Sequence, residues 1–277
     1  MNILNLELMT ATEKVAEALI MRGLFIKVKD NVLLFSKCNK KNDVKDVQFV
    51  LNQLNIPFIM HGEHGLEILV NQMPTIKMKK ILTAGGDPFS IDAAAYHQYW
   101  RFFTCRNYGF RINTFQLEYN MARFVKAANL AGIATYAGCN GHLKKSPRFQ
   151  FAGPFMAAWF VAVKQRYFQD IKLNYDWKVV YDGFTGAELL ATSKQGWCQH
   201  KIHEDTLKMA FLLETHATEI RDIKEKCFKR TQKNITRKWV DKKDYTALEN
   251  WMMTIAWGNE DVINKNGLTR KTNNMAI

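Results

Sequence analysis

The sequence predicts an α+β fold: a small α-β-β-α-β-β module at the N-terminus, then a larger mixed α+β body with a helical C-terminal part. Three observations predict it. Helical and strand periodicities alternate through the first part of the chain as helix, hairpin, helix, hairpin. A breaker-rich stretch, Thr83-Ala84-Gly85-Gly86-Asp87-Pro88, then interrupts the pattern. Two long helical segments dominate the end. The boundaries that follow are 1–82 for the module, 83–200 for the body and 201–277 for the helical region.

Thr10-Ala11-Thr12-Glu13 has capping-box spacing, and Val15, Ala16, Leu19 and Ile20 follow with helical period. Leu24–Val28 and Val32–Phe35 read as strands around Lys29-Asp30-Asn31. Asp43–Leu54 is a second amphipathic helix, its apolar face carrying Val44, Val47, Val50, Leu51 and Leu54. Ile56–Met60 and Leu66–Val70 form another hairpin, turned by Gly62–Gly65, and the module ends near Met73-Pro74. Its two hairpins are expected to share an antiparallel sheet with the helices on one face.

In the body, Ile91–Phe103 and Phe115–Leu130 read as helices. Ile133–Ala137 and Arg148–Ala152 read as short strands flanking a turn, and Pro154 opens the apolar helix Phe155–Phe168. Trp177–Tyr181 reads as a strand, Thr185–Thr192 as a short helix and Glu204–Lys229 as one long helix. Asp244–Trp257 is the last helix, and Asn264–Ile277 is a polar tail. No internal repeat is evident in the sequence.

A chain of 277 residues with 47% hydrophobic and 12% aromatic content can build a substantial core. It contains no run of eighteen apolar residues, so no membrane partner is expected. The start, MNILNLELMTATEKV, has no basic n-region or apolar h-region, which predicts no signal peptide. Five scattered cysteines are not a disulfide framework and predict a reducing, cytoplasmic setting. Abundant Asn, Lys and Ile with only five Pro is a texture common in phage and low-GC bacterial proteins.

The formal net charge of +13 points to an anionic partner, either nucleic acid or the acidic face of another protein. Lys and Arg crowd Lys224–Lys243, which includes Arg237 and Lys238, and a smaller group is Lys144, Lys145 and Arg148. These five side chains are the candidate anion- or partner-binding residues. Arg148 with Phe149 and Phe151, and Lys238 with Trp239, place cations beside rings on which bases stack.

The densest chemistry lies in Gly132–His142, GIATYAGCNGH, where glycines present Cys139 and His142 in one turn. About sixty residues on, Cys198-Gln199-His200-Lys201-Ile202-His203 forms a second knot. Cys139, His142, Cys198 and His203 together are candidate zinc ligands, because zinc prefers thiolate and imidazole and structural sites join two short knuckles. Cys139 also reads as a nucleophile activated by histidine, which would require a third orienting group that the sequence does not identify. The same glycines equally describe a tight structural turn. His61, Glu63 and His64 share a hairpin tip, while Gly85-Gly86-Asp87 lacks the lysine of a phosphate loop. Asp87 and Asp92 are isolated acids.

Helix Asp244–Trp257 aligns Tyr245, Leu248, Trp251, Met252 and Ile255 on one apolar face. A homo-oligomer assembled through Trp251, Met252 and Ile255 is expected, with packing on the chain's own body as the alternative.

The run Leu117–Trp159, with LEYN and then NLAGIATYAGCNGHLKKSPRFQFAGPFMAAWF, looks like a segment of uncharacterised phage and prophage proteins. In size, segment texture and domain order the whole chain resembles the phage Gabija anti-defence family. That resemblance implies a non-enzymatic inhibitor that oligomerises around a host nuclease–helicase complex and blocks its DNA binding and cleavage. It assigns no contact residue in this chain. The turn is also similar to the SCSG motif of a tRNA-modifying methyltransferase family, with Cys139-Asn140-Gly141 in its place, and no other part of the chain shares that likeness. Two functions therefore follow: a protein-binding inhibitor, or a nucleic-acid-binding protein or RNA-acting enzyme using the Cys139–His142 turn.

Overall fold

The computed structural model describes residues 9–36, 39, 41–84, 100–104, 115, 117–181 and 186–258. Helix α1 (Ala11–Met21) starts at Thr10, whose side chain and that of Glu13 cap each other's backbone. Then come β1 (Ile26–Lys29), β2 (Val32–Phe35), α2 (Lys41–Gln53), β3 (Phe58–His61), β4 (Gly65–Ile68) and α3 (Thr75–Thr83). The strands make one antiparallel sheet in the order β1-β2-β4-β3. Asp30 and Asn31 both take left-handed φ (49° and 64°), as a two-residue hairpin turn matched to strand twist requires.

After α4 (Trp100–Phe103), the chain runs through α5 (Ala122–Leu130), β5 (Thr135–Cys139), β6 (Arg148–Phe151), α6 (Pro154–Tyr167), β7 (Asp176–Val180), β8 (Glu188–Thr192) and α7 (Gln199–Thr215). These strands form a second antiparallel sheet, β5-β6-β8-β7. Helices α8 (Ala217–Cys227), α9 (Lys233–Asp241) and α10 (Tyr245–Trp257) complete the described fold.

The two sheets share one topology. Each belongs to a unit ordered α-β-β-α-β-β-α, with its first strand beside its second, then its fourth, then its third. The likeness extends to helix ends. Leu24 N–H returns to Leu19 O and Gly23 N–H to Ile20 O after α1; Ile133 N–H returns to Ala128 O and Gly132 N–H to Asn129 O after α5. Both are the six-to-one closure in which a left-handed glycine ends a helix, with φ 92° at Gly23 and 76° at Gly132. The repeat is invisible in the sequence because it preserves periodicity and helix ends rather than side-chain identity.

Each sheet buries one face, as alternation dictates. Leu33, Phe35, Leu66 and Ile68 point into the first core; Phe149, Phe151, Trp177, Leu189 and Ala191 point into the second. The opposite faces carry Lys27, Leu34, Ile59 and Glu67 in one unit and Arg148, Gln150, Lys178 and Leu190 in the other. Helix α5 joins the units. Lys126 Nζ meets both Asp43 oxygens at 2.8 and 2.7 Å, with the two side chains 8% and 4% exposed. Arg123 lies over the Phe25 ring at 4.1 Å and donates to Leu24 O.

Several expectations are corrected. The segment 185–192, expected as a helix, supplies strand β8: in Glu-Leu-Leu-Ala-Thr the alternately buried Leu189 and Ala191 fill a sheet position, and that packing overrides the helical preference of Leu, Ala and Glu. The long helix expected over 204–229 begins at Gln199 and breaks at His216 into α7 and α8. Helix α5 starts at Ala122, because Leu117–Met121 turns to bring Glu118 and Asn120 against the β5–β6 loop. Helices α3 and α9 were not expected. The expected helix 91–103 is described only as Trp100–Phe103; Cys38, Gly85-Gly86-Asp87, Asp92, Cys105 and the tail 264–277 lie outside the described residues.

The apolar face of α10 is used within the chain. Leu248 and Met252 are fully buried, and Trp251 sits among Trp100, Phe228 and Trp239 with ring centroids 6.0, 5.7 and 5.5 Å away. Trp257 stacks on Trp159 of α6 at 5.2 Å. Of the three residues assigned to a subunit contact, Ile255 alone is classed as exposed, at 39%. This face packs on the chain's own body, because Trp100 of α4, Trp159 of α6, Trp239 of α9 and Phe228 bring aromatic surface to it.

Two stability predictions follow. Lys126→Met should cost about 3–5 kcal/mol, because it strips a buried carboxylate of its counter-charge. Asp43→Leu combined with Lys126→Met should recover most of that loss in urea-denaturation midpoints; equal losses in the single and double variants would refute the pairing. Lys224 is buried beside Gly132 O (2.6 Å) and the Phe103 ring (4.5 Å), and burial lowers its pKa to about 7, with Glu225 opposing. The unfolded lysine has the higher pKa, so the unfolded chain binds more protons between about pH 7 and 10, and stability falls as pH drops through that window. Lys224→Met should flatten this slope in thermal melts.

Candidate functional site

The β1–β2 turn of the first unit spans two residues, Asp30 and Asn31; the equivalent β5–β6 loop spans residues 140–147. The candidate site is this enlarged loop. Its position follows from sheet alternation. Gly138 faces the core, where an added Cβ would stand 3.1 Å from a Phe149 ring carbon and 3.3 Å from Met121 Cβ. Cys139 therefore takes the opposite face, in register with Arg148, then Leu190, then Lys178.

The loop is held by left-handed backbone and side-chain amides. Gly141, His142 and Leu143 take φ of 73°, 49° and 61° in succession. For the two non-glycine residues that conformation costs roughly 1–2 kcal/mol each, so other contacts must impose it. Asn140 Oδ1 accepts the His142 N–H at 2.8 Å, and Gly141 O accepts the N–H groups of Lys144 and Lys145, both at 2.9 Å. Asn140 Nδ2 donates to Asn120 Oδ1 (3.1 Å), and Asn120 Nδ2 donates to Gln199 Oε1 (2.5 Å). Thr206 Oγ1 of α7 donates to Asn120 O at 2.8 Å. The loop is thereby tied through one asparagine to a helix some sixty residues on.

Glu118 completes the arrangement. Its Oε2 accepts the Asn140 N–H at 2.5 Å, and its Oε1 lies 3.0 Å from His142 Nε2. The Gly141 N–H points at Cys139 Sγ, 3.4 Å away. One ligand atom each from Glu118, Cys139 and His142 lies within 4.8 Å of the others, and this is the one such group of three among the described residues. The imidazole is 69% exposed and the carboxylate 27%, so the cluster opens to solvent.

Of the four zinc candidates, the structure brings Cys139 and His142 together and adds Glu118; Cys198 and His203 do not join them. Cys198 is exposed at the start of α7, where its N–H donates to Tyr175 Oη at 2.8 Å. His203 is buried on the stripe of α7 that carries Gln199 and Thr206, with Nδ1 unpartnered. His61 instead meets Glu67 across its hairpin at 2.7 Å. Lys144 and Lys145 are exposed on the loop, while Arg148 stands 3.8 Å from Glu188. Arg237 and Lys238 are exposed on α9, with Arg237 Nε 3.2 Å from Asp241. Glu118 is illegible in the sequence, since a lone glutamate twenty-one residues before the cysteine carries no local signal.

Burial holds the His203 pKa down at about 4, with His200 adding to the effect. The unfolded imidazole keeps its ordinary, higher pKa, so the stability it contributes is present above about pH 6.5 and is lost as pH falls toward 4. His203→Leu should reduce acid sensitivity in melts between those values; an unchanged pH slope would show that His203 is not the group responsible.

Comparison of the chain with protein-family models, with curated proteins and with solved structures finds no match.

Proposed function

We propose that this chain is a nucleic-acid-binding protein whose principal phosphate-contacting surface is the segment 229–243. The observation that carries this reading is charge in a fixed setting. Lys229, Arg230, Lys233, Arg237, Lys238, Lys242 and Lys243 are all exposed, against one acid, Asp241. The segment is anchored rather than a free tail. Trp100 Nε1 donates to Lys229 O at 2.8 Å, Thr236 is fully buried, and Trp239 packs on Trp251. Cations pre-positioned by a helix lose less entropy on meeting phosphates than cations on a mobile tail. Lys144 and Lys145 add a second exposed basic pair beside the Glu118–Cys139–His142 cluster.

Affinity resting on phosphate contacts falls steeply with salt, since each neutralised phosphate releases counterions. Fluorescence anisotropy with labelled duplex DNA and single-stranded RNA across a salt series tests this. Lys233→Glu/Arg237→Glu/Lys238→Glu should weaken binding and reduce the log–log salt slope for duplex DNA by about 2–3. Absence of salt-sensitive binding to either polymer refutes the reading. Capture of a host nuclease–helicase complex by a chain that binds neither would replace it with the inhibitor that the anti-defence resemblance implies.

A further inference from the structure

We propose that Glu118, Cys139 and His142 bind one zinc ion per chain, with the remaining coordination position left to solvent. This site is independent of the basic surface on α9.

The donor set selects the metal. A thiolate, an imidazole and a carboxylate suit zinc, whereas magnesium and calcium take oxygen ligands and avoid thiolate. Three protein ligands with an open position is the arrangement of zinc sites that hold water or substrate. Spacing agrees as well. Ligand atoms on a tetrahedral zinc stand about 3.3–3.6 Å apart, given bond lengths of about 2.0–2.3 Å. The 3.0 Å contact between Glu118 and His142 and the 4.8 Å limit on the whole cluster bracket that spacing, within reach of side-chain rotation.

The surroundings also fit. Glu118 Oε2 is held by the Asn140 N–H, leaving Oε1 turned to His142 as a single donor atom. The Gly141 N–H on Cys139 Sγ complements the negative sulfur of a metal-bound thiolate. Asn140 is fixed by Asn120, and Asn120 by Gln199 and Thr206, so the loop bearing two ligands is braced against α7. Such outer contacts orient metal ligands. The left-handed backbone at His142 and Leu143, found in a loop four times the length of its counterpart, is what sets the imidazole beside the carboxylate. Binding releases the thiol proton to solvent and leaves the imidazole neutral, with no change of oxidation state.

Cobalt(II) is the spectroscopic probe. The untagged full chain, stripped with chelator and titrated with Co(II), should take up one equivalent and develop a thiolate-to-cobalt charge-transfer band that zinc abolishes and magnesium leaves unchanged. Cys139→Ser should lose the band, and Cys198→Ser should keep it. Glu118→Gln, which preserves shape and hydrogen bonding, should raise the cobalt dissociation constant roughly tenfold or more. Absence of the band, its survival in Cys139→Ser, or wild-type affinity in Glu118→Gln would each overturn the site.

Discussion

The structure depends on helix α5 being buried on nearly every side. Ala122, Phe124, Val125, Lys126, Ala127 and Ala128 are all buried within nine residues. One side covers the second sheet, where the Phe124 ring packs tilted against Phe149 with centroids 4.1 Å apart. Another side receives α7, and a third meets the first unit through Lys126 and Arg123. Gly23 makes the last of these possible, because its backbone comes so near Ala122 that a Cβ on residue 23 would stand 2.9 Å from the Ala122 carbonyl. A helix so enclosed fixes what precedes it. Glu118 and Asn120 lie just ahead of its first turn, and their positions are inherited from that packing.

The candidate site follows from a second constraint, that an antiparallel sheet of four strands covered by helices on one side keeps another face. The two units solve this alike in topology but differ in elaboration. The first closes its leading hairpin with Asp30 and Asn31 alone. The second inserts a loop in which Gly141, His142 and Leu143 share left-handed backbone, and asparagine side chains replace the missing regular hydrogen bonds. A loop costs conformational entropy in proportion to the freedom it gives up. Here that cost is offset by amide contacts to Asn120 and by the carboxylate of Glu118.

Positive charge is partitioned by the fold. Lys126 and Lys224 are inside, one against a carboxylate and the other against a carbonyl and a ring. The cations of 229–243 are outside, raised on a short helix that is pinned by aromatic packing. Lysines of the same chain therefore report opposite things: buried Lys224 makes stability depend on pH, and the exposed ones create a field that attracts anions.

The sequence by itself determined the fold class, the order of the first six elements and the presence of a glycine-shaped turn at Cys139 and His142, because periodicity, caps and positive-φ residues are local properties. Those signals read correctly at Thr10 and at Pro154. They failed at 185–192, where strand β8 exists because a neighbouring strand needed a partner, and they left open what covers the apolar face of α10, which meets Trp100 and Trp159 far away in sequence. Glu118 was illegible for the same reason: a carboxylate becomes a neighbour of Cys139 only after α5 has docked against the second sheet and α7. Which residues share a site is a matter of through-space distance, and only tertiary packing supplies it.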